Sequence, residues 1–149
     1  MKVIPRGLRS TAIAAIVVAV TGFAGNPGGS AAAHRAPPGK TIDVQMLGDA
    51  KGYRFSPARI TIQRGDQVRF TLVSGPPHNV VFWNDSIPKG AAARLSKSMA
   101  NAVGPLTGPF FTNVGDKYVV SFAGLPAGTY RYYCAPHLAL GMRGAIVVK

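Results

Sequence analysis

The stretch Thr129-Tyr130-Arg131-Tyr132-Tyr133-Cys134-Ala135-Pro136-His137-Leu138-Ala139-Leu140-Gly141-Met142-Arg143-Gly144-Ala145-Ile146-Val147-Val148 reads as strand, loop, strand. If Tyr130 and Tyr132 face inward, period-2 geometry turns Cys134 inward as well and leaves Arg131 and Tyr133 outside. The loop then carries a thiolate, an imidazole and a thioether on Cys134, His137 and Met142. Donors tolerable to both Cu(I) and Cu(II) are of this kind, the recurring set being two His and one Cys in a plane with a weak axial Met. One His is lacking, and it must come from elsewhere in the chain.

The chain holds three His, and His78 in Gly75-Pro76-Pro77-His78-Asn79-Val80-Val81-Phe82 is the fourth donor of choice. A metal on His78, Cys134, His137 and Met142 would tie a mid-chain loop to a C-terminal one and add its binding free energy to folding. Zinc accepts Cys and His, but a Cys-His-His set with a thioether is an unusual zinc site.

Working outward, short alternating segments are separated by Gly and Pro, with no amphipathic helix of any length. Strands are expected over Thr41–Leu47, Ala58–Gln63, Gln67–Val73, Asn79–Trp83, Lys117–Phe122, Thr129–Cys134 and Arg143–Val148, with another starting at Phe110-Phe111. Arg64-Gly65-Asp66 is a turn, and Ala91–Met99 a short helix or irregular lobe. About eight strands at this spacing imply an all-β fold, a Greek-key β-sandwich with the donors gathered on loops at one end.

The N-terminus has Lys2, Arg6 and Arg9 ahead of an apolar run from about Thr11 to Ala24 and then Ala31-Ala32-Ala33, the pattern of an export signal cleaved after Ala33. The run is short of the roughly 18 to 20 residues that span a bilayer, so no stable membrane insertion is expected. Residues 1–33 are thus read as signal peptide, 34–40 as a flexible lead-in and 41–149 as one domain. Cleavage would make His34 a new N-terminus able to chelate copper, but its Pro/Gly surroundings favour a solvated residue. One Cys cannot form an internal disulfide, and metal ligation protects a thiol that export would expose to oxidation.

Charge is the other bulk signal. Without Lys2, Arg6 and Arg9 the formal +12 falls to about +9, against five acids, all Asp. Such a field favours partners with acidic docking surfaces and depends on ionic strength. Nucleic acid is excluded as the partner because the basic residues are scattered singly, without a dense run or recognition motif.

The residues Pro77-His78-Asn79-Val80-Val81-Phe82, Gly128-Thr129-Tyr130, Tyr132-Tyr133-Cys134, the Cys-x2-His-x4-Met loop and Gly144-Ala-Ile-Val-Val resemble plastocyanin, as does Leu47-Gly48 through Phe55-Ser-Pro-Ala-Arg-Ile-Thr-Ile-Gln-Arg-Gly-Asp66. The resemblance implies a cupredoxin-like sandwich with one type 1 copper that shuttles single electrons between larger redox complexes. Carried over residue by residue, His78, Cys134 and His137 would be equatorial ligands and Met142 the axial one. Asn79 would brace the two ligand loops, Tyr133 would offer an electron path, and Pro136 to Leu140 would form an apolar rim around His137. Prolines resembling Pro57 and Pro77 adopt the cis form in such proteins. Plant-type relatives present an acidic surface, whereas this chain is basic; Leu138 stands where a polar residue is common; and Met99 to Asp116 matches poorly, as a local insertion would.

The function expected is therefore a soluble, monomeric one-electron carrier of the periplasm, or of the thylakoid lumen in a photosynthetic cell, and not an enzyme. A copper oxidase or nitrite reductase needs further His ligands, and a binuclear centre a second Cys. A chaperone or storage protein would favour an exposed Met/His-rich site. A pseudoazurin-like donor to a periplasmic reductase is the nearer alternative, since its ligand loop has the same spacing.

Overall fold

The structure is a computed structural model and describes residues 39–149. The export signal, its cleavage point and His34 lie outside the described residues. Among the described residues eight strands run in the order β1 (Thr41–Asp49), β2 (Gly52–Ser56), β3 (Arg59–Ile62), β4 (Gln67–Leu72), β5 (Val81–Phe82), β6 (Lys117–Ser121), β7 (Gly128–Tyr133) and β8 (Arg143–Val148), with one α-helix, α1 (Ala92–Ser98), between β5 and β6. They form two four-stranded sheets, β2-β1-β4-β6 and β3-β8-β7-β5. Both sheets are mixed, because β1 runs parallel to β4 and β3 parallel to β8 while the other neighbours are antiparallel.

The alternation read from the sequence decides which face is covered. Along β4, Val68, Phe70 and Leu72 are fully buried, and from the facing sheet Tyr130, Tyr132 and Ile146 meet them. Tyr132 is the hub, with ring centroids 4.7 Å from Phe55, 5.3 Å from Phe70 and 5.7 Å from Phe82. Its ring lies where a Cβ on Gly144 of the neighbouring strand would come within 2.3 Å. A side chain at 144 and this ring cannot coexist.

The sandwich and its strand count agree with the sequence reading, but two elements differ. Residues 52–56, not among the expected strands, form β2 and pair with β1 across a tight turn at Ala50-Lys51. The strand expected at Phe110-Phe111 reduces to a single bridge between Phe111 and His78. The segment expected as an insertion, 99–116, is irregular and is held to the sandwich by further bridges, Met99 to Val120 and Thr107 to Val81, with Leu106 buried beneath it. Ser56-Pro57 and Pro76-Pro77 are both cis. Among the described residues no helix is long and apolar enough to cross a membrane.

Candidate metal centre

Strand alternation continues past the end of β7, so Tyr130, Tyr132 and Cys134 are all fully buried while Arg131 is exposed and Tyr133 half-buried. After Cys134 the chain makes a compact turn around a 3-10 helix, Leu138–Leu140, which Gly141 ends in the left-handed conformation at φ 85°. Backbone bonds close this turn on itself. The Cys134 N–H donates to the Met142 carbonyl, and the Met142 N–H donates to the His137 carbonyl, both at 3.1 Å. Met142 is therefore brought back beside Cys134, with its side chain fully buried.

His78 arrives from the other connection. Its backbone pairs with Phe111 in both directions, N–H to carbonyl at 3.0 Å and the reverse at 2.8 Å. Its Nε2 lies 2.9 Å from the Ser74 carbonyl. A carbonyl can only accept, so Nε2 carries the proton and Nδ1 is left with a free lone pair. That Nδ1 stands 3.5 Å from Cys134 Sγ, and Nδ1 of His137 stands 3.4 Å from the same sulfur. The donor atoms of His78, Cys134 and His137 all lie within 4.8 Å of one another and are buried.

These separations suit a shared metal ion. Donors bonded at about 2.0 Å (nitrogen) and 2.3 Å (sulfur) with a near-tetrahedral angle stand about 3.5 Å apart. The electrostatics agree. Burial holds His78 below the usual histidine range, although its bond to Ser74 opposes this, and burial lowers His137 too, with repulsion from His78, were both rings protonated, acting in the same direction. Both imidazoles are kept neutral, as ligands must be. Burial pushes the Cys134 thiol up, against the Asn79 and His137 N–H groups that point at it. A bound cation reverses that balance, since a coordinating thiol is deprotonated outright.

A second layer holds the donors in place. Asn79, fully buried beside His78, accepts the Ala135 N–H on Oδ1 at 2.8 Å and so links the two donor loops. Tyr53 on β2 stacks on His137 with centroids 3.7 Å apart and planes 11° from parallel, and meets His78 edge-on at 6.1 Å. Tyr53 and Ser74 were not singled out by the sequence reading. The residue before a histidine loop carries no motif, and Tyr53 lies on the strand whose pairing was not foreseen. Around His137, itself 7% exposed, Pro136, Ala139 and Leu140 are exposed. The rim is apolar, as expected.

Two packed mixed sheets with a buried His-Cys-His cluster on end loops define a cupredoxin, a copper-binding β-sandwich. A family profile described as copper binding proteins, plastocyanin/azurin family, matches residues 42–149. Plastocyanin B'/B'' of Nicotiana tabacum is 37% identical over 109 residues, covering 72% of this chain and all of the relative. The oxidised plastocyanin of the fern Dryopteris crassirhizoma superposes with a TM-score of 0.55 at 30% identity, over 72% of this chain and 100% of that one. A pseudoazurin from Methylobacterium extorquens gives 0.51 at 29% identity, over 73% and 75%. The chain belongs to the plastocyanin/azurin family of copper binding proteins, and its cofactor is one copper ion.

Proposed function

We propose that this chain is a one-electron carrier whose copper would be held by His78, Cys134, His137 and Met142. The observation that carries the reading is the convergence of two imidazole nitrogens on one buried sulfur at 3.4 and 3.5 Å. Bound there, copper supplies a Cu(II)/Cu(I) couple that takes up and releases single electrons. The chain's own residues do the rest. Ser74 fixes the His78 tautomer, Asn79 locks the loops together, and full burial of Cys134 and Met142 excludes water. Donors fixed in advance by such a frame need little rearrangement when the charge on the metal changes.

His137 reaches the surface inside the apolar rim, where a partner can approach without burying charge. In this reading the chain has no substrate chemistry of its own, and residues 41–149 form the carrier domain, monomeric, behind a cleaved export signal at 1–33. It works in the periplasm, or in the thylakoid lumen of a photosynthetic cell, with redox partners that present acidic surfaces to its positive field. The comparable likeness to pseudoazurin supports a second reading, a donor to a periplasmic reductase.

Protein-film voltammetry on the copper-loaded chain tests the carrier role. One reversible one-electron wave is expected, unchanged by dioxygen or nitrite. A catalytic current with either would replace the carrier by an enzyme.

A further inference from the structure

The donor loops occupy one end of the sandwich, and strand directions define the other. β1 and β4 start there side by side, Thr41 opposite Gln67, and β3 and β8 finish there together, Ile62 opposite Val148. The Arg64-Gly65-Asp66 turn into β4 and the connection 122–127 from β6 to β7 close the same end. Beside them lies a hollow of about 610 Å³, lined by Arg64, Lys89, Arg94 and Lys97 together with Gly124 and Pro126.

Local sequence explains why the cations gather. α1 buries Leu95 and leaves Arg94 and Lys97, three residues apart, on its exposed side. Arg94 donates through one Nη to the Gly124 carbonyl, which holds its guanidinium at the edge of the hollow. No acid lines the hollow. Asp66, in the adjoining turn, is 6% exposed, and its two carboxylate oxygens accept the Lys40 and Gln63 backbone N–H groups at 2.8 Å each. The ion pairs among the described residues are Arg54 with Asp49 and Arg69 with Asp43, so the four hollow cations are in none.

Lys40 brings a fifth exposed cation to this end. Its N–H on Asp66 and its carbonyl, which accepts the Gln67 N–H at 2.8 Å, fix the place where the chain enters the sandwich. The N-terminal segment, with its apolar run from about Thr11 to Ala24, therefore joins the domain at the basic end and not at the donor end.

We propose that this end of the sandwich is a membrane-contact surface: Lys40, Arg64, Lys89, Arg94 and Lys97 rest on a bilayer of anionic phospholipids, with headgroup phosphates entering the hollow. Clustered Lys and Arg adsorb to such a surface, each adding attraction within a Debye length of it. A protein partner would call for an apolar or aromatic centre to the interface. The hollow has no aromatic lining, and its one large apolar side chain, Leu125, is 2% exposed. The same lack keeps the contact on the headgroups, without insertion. β7, which runs from this end to Cys134, is six residues long, about 20 Å at about 3.3 Å each. Adsorbed in this way, the protein holds its donor loops that far from the lipid and facing solvent, and its search for partners is confined to the layer above a membrane.

The test is co-sedimentation of the copper-loaded protein, recovered after export, with phosphatidylcholine vesicles holding about 40 mol% phosphatidylglycerol or none, at about 0.05 M salt. Saturable binding to the anionic vesicles alone is expected, lost at about 0.5 M salt. Lys89→Gln/Lys97→Gln should weaken it about 25-fold, at about fivefold per charge. Lys51→Gln/Lys117→Gln removes the same charge from the donor end, where β1 turns into β2 and β6 begins, and should change binding less than about threefold. All four side chains are exposed; should the first double variant not fold, Lys97→Gln alone is expected to weaken binding about fivefold. A nitroxide on the headgroups should broaden the amide resonances of Gly65, Gly90 and Gly124 in the reduced protein and spare that of Gly141 in the donor loop.

No binding to the anionic vesicles, or equal weakening by the two double variants, would overturn the proposal, the second by assigning the attraction to the whole-molecule field. So would broadening centred on Gly141. Equal binding to vesicles without phosphatidylglycerol would assign the contact to a retained apolar leader. Inorganic phosphate that displaces the vesicles at matched ionic strength would make the hollow a small-anion site instead. The visible copper band reads the metal site separately, so failure of the one is distinguishable from failure of the other.

Discussion

Asn79 binds no metal in this account, yet the donor loops depend on it. Its buried Oδ1 takes the Ala135 N–H at 2.8 Å, joining the connection that carries His78 to the one that carries Cys134. Truncation leaves that N–H without its partner, which costs about 1–3 kcal/mol. Asn79→Ala is therefore expected to lower stability by that amount in denaturant titrations. It should also weaken copper binding about 10- to 100-fold in competition with a chelator; an unchanged affinity would mean that the loops are held otherwise. Asn79 was legible in the sequence because it adjoins a donor, and the donors themselves because thiolate, imidazole and thioether announce their chemistry. Tyr53 and Ser74 were not. What they do depends on where their backbones land, Tyr53 against the His137 ring and Ser74 with its carbonyl on Nε2 of His78.

At the scale of elements, alternation made β4 and β7 plain, since one face of each is core and the other is not. β2 was missed because the two residues that turn the chain into it, Ala50 and Lys51, lack the Asn-Gly or Asp-Gly signature of a tight hairpin. The reverse error at Phe110-Phe111 arose because two aromatics resemble a strand, whereas only Phe111 is buried and Phe110 is 55% exposed. The loop ahead of His78 shows how backbone shape serves the site. Gly75 has φ 71°, and a Cβ there would lie 2.5 Å from the Gly48 Cα. Its neighbour Ser74 accepts the Gly48 N–H on Oγ at 3.2 Å and holds His78 through its carbonyl. Gly75→Ala adds about 1–2 kcal/mol of left-handed strain to that clash. The variant is expected to melt lower and to bind copper more weakly, both read by thermal unfolding with and without metal. A metal-induced rise in Tm equal to that of the parent would separate this loop from the site.

Over the whole molecule, the two-sheet core contains phenols in unusual positions. The hydroxyls of Tyr118 and Tyr132 are buried without a hydrogen-bond partner. Burial pushes Tyr118 up to about 12 and raises Tyr132 as well. In the unfolded chain both ionise near pH 10, so above that pH the unfolded state binds fewer protons than the native one. Stability then falls as pH rises. Denaturant midpoints are expected to hold to about pH 10 and to drop between about 10 and 12; Tyr118→Phe should flatten part of the drop, and an identical profile in that variant would put the alkaline sensitivity elsewhere.

The same core brings residues as far apart in sequence as His78 and Cys134 to one end of the sandwich, and the central claim is that four of them hold type 1 copper. The direct measurement is the visible and paramagnetic resonance spectrum of the chain after addition of Cu(II), recorded beside Cys134→Ala. An intense blue band with a narrow copper hyperfine splitting in the parent, and neither in the variant, is the result this account predicts. A colourless complex with a wide splitting in the parent, or a blue band that survives loss of Cys134, would contradict it.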